Sequence, residues 1–235
     1  YPSARDPALN TTSFKIENGE AFGILGASGA GKTTLLNLLS GLLEPTSGSV
    51  KFDNETVNRV SGRDRNIAQV FQFPVLYEAL TVEENLEFPL KARNFNSAFI
   101  NERIKNILDR LEIEDLRNRR IGELSLFQKQ LVSIGKSLVR PNLSAVLLDE
   151  PLTAVEPRMK WKLRNILRQI QKEEGLTMIY VTHDQTEALT FANRVAVMDQ
   201  GRILQIATPD TIYRQPDHKF VGSFIGNPGM NFIPA

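Results

Sequence analysis

The run Gly26-Ala27-Ser28-Gly29-Ala30-Gly31-Lys32-Thr33-Thr34 restricts what this chain can fold into more than any other part of it. An apolar stretch, Ala21 to Leu25, feeds into it, and Leu35, Leu36, Leu38, Leu39 and Leu42 recur after it at helical spacing. The order is strand, glycine loop, helix. In that setting the pattern Gly-x-x-x-x-Gly-Lys-Thr builds a phosphate cradle, because glycines let the backbone curl with its amides aimed at one point and the following helix places its positive end there. Lys32 can then hold the β and γ phosphates of a nucleotide while the Thr33 hydroxyl ligates magnesium. Residues Gly26, Ala27, Ser28, Gly29, Ala30, Gly31, Lys32, Thr33 and Thr34 are the predicted nucleotide-binding loop.

The rest of the chain extends this beginning. Val50 to Phe52 and Ile67 to Phe71 read as strands, the second ending at Gln72. From Thr81 to Arg140 the period turns helical, through Leu86, Ile100, Ile104, Ile107, Leu111, Leu131, Ile134 and Leu138. Alternation then resumes: strand Ala145 to Leu148, a helix opening at Pro157, strand Thr177 to Val181, helix Gln185 to Ala192, strand Val195 to Met198. Strands apolar throughout and separated by helices indicate a parallel sheet covered on both faces. Asp199-Gln200-Gly201 reads as a hairpin turn, and Thr208-Pro209 opens a last pair of short helices through Ile225. The expected organisation is one α/β domain, core 1–80 and 142–235, with an antiparallel β edge and an inserted helical subdomain over about 81–141.

Composition removes several classes. With 28 basic residues against 27 acidic, the net charge of +1 gives no large field for drawing in nucleic acid. The absence of cysteine excludes disulfides, thiol nucleophiles and thiolate metal sites, and two histidines leave little for zinc. No apolar run reaches the roughly 18 residues a membrane-spanning helix needs, so membrane association is expected through a partner. Starting at Tyr1 and stopping soon after Met230-Asn231-Phe232, the chain reads as a piece of something longer.

Three further strand ends carry polar groups. Val146-Leu147-Leu148-Asp149-Glu150 ends in two carboxylates, Asp149 fit to hold magnesium and Glu150 fit to act as general base on an attacking water. Val181-Thr182-His183 ends in a histidine able to hydrogen-bond a γ phosphate and orient the base. Gln72 can touch both magnesium and the water. Carboxyl ends of parallel strands are where ligands of such sheets bind.

Taken in order, Gly26 to Thr34, Gln72, Leu124-Ser125-Leu126-Phe127-Gln128, Leu147-Leu148-Asp149-Glu150-Pro151 and His183 resemble the ATP-binding subunit of ABC transporters across nearly the whole chain. The resemblance implies a P-loop NTPase fold with a RecA-like parallel core, ATP and magnesium as ligands, and a cytoplasmic motor that works as half of a nucleotide-sandwiching dimer. It implies that Tyr1 stacks on adenine and that Ser125 and Gln128 meet the nucleotide of the opposite subunit. It also implies transmembrane permease partners, an extracytoplasmic solute-binding protein reached through them, and a place on the cytoplasmic face of the membrane. The stretches 81–85, 201–213 and 224–228 resemble importers of sugars, polyols and glycerol 3-phosphate, and 178–192 the glycerol group. That branch carries a carboxyl-terminal β-barrel, expected to begin where this chain stops, and an additional first strand.

Two departures stand out. Leu126 and Phe127 replace both glycines of the family's Leu-Ser-Gly-Gly-Gln signature, and Glu156 takes the place of an aspartate in the loop after Glu150. Close backbone approach to a phosphate is what glycine permits, so side chains there are expected to obstruct. The expectation is an asymmetric pair with a different ATP-binding subunit, in which this chain keeps its own phosphate loop and the reciprocal site is slow. A soluble ABC ATPase of DNA repair or translation, and a regulatory module that holds ATP without hydrolysing it, are the competing readings.

Overall fold

A computed structural model describes residues 7–153, 155–226 and 229–230. β1 (Ala21–Gly26) is buried at all six positions. Helix α1 (Lys32–Ser40) starts directly after Gly31 and ends at Gly41, which adopts φ 79° and returns its amide to Leu38 O. That left-handed cap cuts the leucine periodicity short, and Leu42, predicted as part of the helix, lies beyond it and is 63% exposed.

β2 (Lys51–Phe52) and β3 (Glu55–Thr56) form a small antiparallel hairpin of their own. Asp53 and Asn54 take positive φ in its turn. The sequence predicts one strand here, Val50 to Phe52; the second is too short and exposed to leave an apolar signal. Six strands make the main sheet: β1, β4 (Ile67–Val70), β5 (Ala145–Asp149), β6 (Met178–Thr182), β7 (Arg194–Asp199) and β8 (Arg202–Ala207), in the order β4-β5-β6-β1-β7-β8. All neighbours are parallel except β7 and β8, joined at the predicted turn by Gln200 and Gly201, both at positive φ.

Successive strand residues face opposite sides, and both sides are filled. Val146, Leu148, Met178 and Tyr180 join one apolar cluster, while Ala145, Leu147, Ile179 and Val181 join another against Leu35 and Leu36 of α1. The remaining helices are α2 (Val82–Lys91), α3 (Ser97–Leu111), α4 (Leu126–Leu138), α5 (Pro157–Glu174), α6 (Gln185–Phe191), α7 (Pro209–Arg214) and α8 (Lys219–Ile225). Helices α2 to α4 lie between β4 and β5 in the chain, and their Leu86, Ile104, Ile107, Leu131 and Ile134 belong to the same cluster as Val146 and Leu148. Arg103 and Arg110 of α3 pair with Glu174 of α5 at 3.1 and 2.7 Å. Among the described residues no helix is long and apolar enough to cross a membrane.

Candidate nucleotide site

The carboxyl edge of the parallel strands gathers the predicted residues. Gly26 closes β1 so tightly against β7 that a Cβ on it would stand 2.4 Å from Met198 O. Gly31 holds φ 96°, and a Cβ there would stand 2.7 Å from Ala8 O. Between them the loop turns around the Lys32 ammonium, which donates to Gly26 O at 2.8 Å and Ala27 O at 2.9 Å. The same ammonium lies 3.8 Å from Glu150 Oε1. Burial lowers the Lys32 pKa, against the opposing pull of Glu150 and then Asp149.

Asp149, at the buried end of β5, accepts a side-chain hydrogen bond from Thr33, and burial followed by repulsion from Glu150 raises its pKa. Asp149 and Thr33 offer hard oxygen ligands, the donor type magnesium takes. No cluster of three or more His, Asp or Glu side chains that could hold a metal ion occurs among the described residues. Two protein oxygens with the remainder from phosphate and water is how magnesium is held beside nucleotides. The residues present therefore fit that ion. Gln72 lies two residues past the end of β4, partly buried at the same edge.

Glu150 has φ 46°, a strained value for a residue with a Cβ, and its amide donates to Val181 O at 2.9 Å. Strain of this kind persists where surrounding structure over-determines it and gathers at functional sites. Its Oε2 accepts from Thr153 Oγ1 at 3.1 Å and faces His183 Nδ1 at 3.0 Å. Thr153 was not among the predicted site residues. The signal available was a hydroxyl three residues after the carboxylate in a tight turn, where Thr153 N returns to Glu150 O at 3.2 Å.

Two predictions lie elsewhere. Ser125 and Gln128 cap α4 reciprocally: Ser125 Oγ accepts from Gln128 N at 3.3 Å, and Gln128 Oε1 accepts from Ser125 N at 2.9 Å. They line a cavity of about 290 Å³ with Leu111, Phe127, Leu131, Met159 and Leu163, and no phosphate-loop residue lines it. Within one chain they do not join the loop. The expectation that both Leu126 and Phe127 obstruct is corrected in part. Leu126 projects, 47% exposed, whereas Phe127 packs back onto the main apolar cluster. Tyr1 lies outside the described residues. Among the described residues, Asn10 N donates to Gly201 O at 2.8 Å and Gly201 N to Ala30 O at 3.0 Å, and Ala8 O lies beside Gly31 and Gly201, so residues 8–10 run along the loop and the β7–β8 turn.

Helix α4 also grips the segment after β4. Gln130 Nε2 donates to Phe71 O at 3.4 Å, and Lys136 Nζ donates to Val75 O at 3.1 Å while lying 4.4 Å from the centre of the Tyr77 ring. Phe73, Val75, Tyr77 and Phe88 stay exposed around it, Phe73 by 67%.

Known proteins resemble this chain in sequence and in fold. The sequence pattern of the family described as ABC transporter matches residues 9–153. The trehalose/maltose import ATP-binding protein MalK of Thermococcus litoralis is 39% identical over 234 residues, covering 97% of this chain and 63% of that protein. The sn-glycerol-3-phosphate import ATP-binding protein UgpC of Cereibacter sphaeroides is 42% identical over 227 residues, covering 97% of this chain and 65% of that protein. This chain thus spans a little under two thirds of the length of either relative. Among solved structures, the dimeric post-hydrolysis state of the ATP-binding cassette MJ0796 bound to ADP and Pi superposes with a TM-score of 0.76 at 31% identity, covering 86% of this chain and 90% of that one.

Proposed function

The chain belongs to the ABC transporter family, and from that premise we propose that it is the ATP-hydrolysing subunit of an importer for a sugar or a polyol such as glycerol or its phosphate. One observation carries the hydrolytic reading: Glu150 is held in strained backbone with Lys32, Thr153 and His183 all at its carboxylate. An incoming γ phosphate draws the Lys32 ammonium off the loop carbonyls, and Glu150 is left as acceptor for the proton of a water attacking that phosphate. His183 then holds the transferred phosphoryl oxygens and fixes the Glu150 side chain. Thr33 and Asp149, joined by Gln72, would hold magnesium, which supplies charge neutralisation between the phosphates. Retained Glu150 and His183 speak against a module that binds ATP without turnover. The near-neutral charge speaks against the DNA-repair reading.

The nucleotide is completed by a second ATP-binding subunit, whose Ser125-like turn faces the phosphate held here. The expectation that this subunit is a different chain with a glycine-containing signature finds no support among the relatives; only Leu126, an exposed side chain in the altered signature, argues for it. The names of the relatives say nothing of an unlike partner. A symmetric pair is favoured by Phe127, whose inward packing leaves a single obstructing side chain in each site. The segment about 81–141 is read as the helical subdomain that passes the stroke to permease subunits at the cytoplasmic face. The exposed Phe73, Val75 and Tyr77 of the segment before it, with Phe88 of α2, are the apolar contact for the permease, through which the solute-binding protein is reached. Size-exclusion chromatography of Glu150→Gln with and without ATP and magnesium tests this: a trapped homodimer selects the symmetric pair, ATP-binding monomer the asymmetric one, and failure to bind ATP removes the function.

A further inference from the structure

The groups that hold Glu150 need holding themselves, and their supports converge on one buried carboxylate. Glu187 of α6 has a side chain only 3% exposed. Its Oε2 accepts from Tyr180 Oη at 3.0 Å and from Thr182 Oγ1 at 2.9 Å, both on β6. Its Oε1 accepts from Lys160 Nζ at 3.0 Å. The hydroxyl of Thr182 in turn accepts from Asp184 N at 3.0 Å, and Asp184 Oδ1 accepts from Glu187 N at 3.2 Å. His183 therefore sits between two residues that are both tied to Glu187. Lys160 stands in the first turn of α5, four residues after Glu156, at the end of the loop that carries Thr153. One carboxylate thus connects the two loops whose side chains meet at Glu150 Oε2.

We propose that Glu187, with Lys160 as its charge partner, is a positioning residue that fixes the His183 turn so that the imidazole meets Glu150. The contacts of Glu187 go to Lys160, Tyr180, Thr182 and Asp184, and it acts through His183. Three donors converge on two oxygens, and a glutamine in the same place turns an NH2 group toward a hydroxyl or the ammonium. The inference rests on the hydrolytic reading above, but the geometry it concerns can be measured without turnover.

The chain has two histidines, His183 and His218, so ring nitrogen resonances of histidine-labelled protein report them separately. Glu150→Gln sets the reference, because it changes the acceptor facing His183 Nδ1. Glu187→Gln and Thr182→Val are expected to move the His183 Nδ1 resonance toward its position in Glu150→Gln and leave His218 in place. Combining either with Glu150→Gln should add no further movement, which a general loosening of the fold would not reproduce. Where turnover is measured, kcat falls about tenfold with little change in KM. Thr182→Val, a near-isosteric buried change, carries the test if Glu187→Gln does not fold. His183 resonances at wild-type positions in a folded variant overturn the proposal, whatever the ATPase assay gives. Wild-type protein that hydrolyses no ATP, alone or mixed with its partner subunit, overturns the hydrolytic reading instead.

Discussion

Nδ1 of His183 lies 3.0 Å from Oε2 of Glu150, although the two residues are 33 apart in the chain. The contact exists because β5 and β6 are paired in parallel with Asp149 opposite Val181, so the loops that follow both strands open at the same edge. Glu150→Gln keeps the shape of this arrangement and removes the proton acceptor. Hydrolysis is expected to fall by about 100-fold or more, within the range for loss of a general base, while ATP affinity stays near that of the wild type. Single-turnover hydrolysis alongside equilibrium nucleotide binding checks both halves.

Lys32→Ala removes the ammonium that spans Gly26 O, Ala27 O and Glu150. Its expected effect is on binding: ATP affinity drops by about two orders of magnitude, the worth of one charge-assisted phosphate contact of about 3 kcal/mol. Titration calorimetry measures it, and an unchanged affinity would remove Lys32 from the phosphate site.

Asp149 supplies a prediction in pH. Burial first, and the neighbouring Glu150 second, raise its pKa above the ordinary 3.8, despite Lys32 and Thr33. A carboxyl whose folded pKa exceeds its unfolded one binds more protons in the folded state between those values. Stability is therefore lost as pH rises through that window and regained as pH falls back below it. Asp149→Asn should raise the melting temperature of nucleotide-free protein at pH 7, with the gain vanishing as pH falls below 3.8. The same variant should lose the extra stabilisation that magnesium adds to ATP. Melting curves across pH, with and without ligand, read both effects.

The altered signature separates two effects that sequence would lump together. Leu126→Gly removes an exposed side chain and should leave stability within about 1 kcal/mol, mostly the backbone freedom of glycine in a helix. Phe127→Gly removes a ring packed on the core cluster and should cost about 2–4 kcal/mol. If Leu126 is the obstruction, Leu126→Gly in the Glu150→Gln background forms an ATP-dependent homodimer where the parent does not. Urea unfolding and chromatography of the two single variants distinguish them.

Arg65 is a structural counterpart to these site residues. Buried at 3% exposure, its guanidinium donates to Leu38 O, Leu39 O, Val60 O and Asn58 O at 2.7 to 3.2 Å, closing the carboxyl end of α1. Arg65→Ala removes every one of these donors, leaving Leu38 O with only the Gly41 amide, and is expected to cost about 3 kcal/mol. Denaturant unfolding at constant m-value is the measurement.

Much of this protein was fixed locally. The phosphate loop, the caps at Thr81, Ser125 and Thr208, the β7–β8 turn and the fully apolar strands each depend on residues close in sequence. Their chemistry limits the backbone whatever surrounds them, so the order of elements and the polar groups at strand ends could be read directly. The tertiary structure decided what no local pattern contains. It set the 3.0 Å meeting of His183 with Glu150, the reach of Thr153 to the same carboxylate, the burial of Glu187 under Lys160 and Tyr180, and the inward turn of Phe127. Each of these depends on strand register and on which helix face meets the sheet. Both are settled only when the whole apolar surface is buried at once.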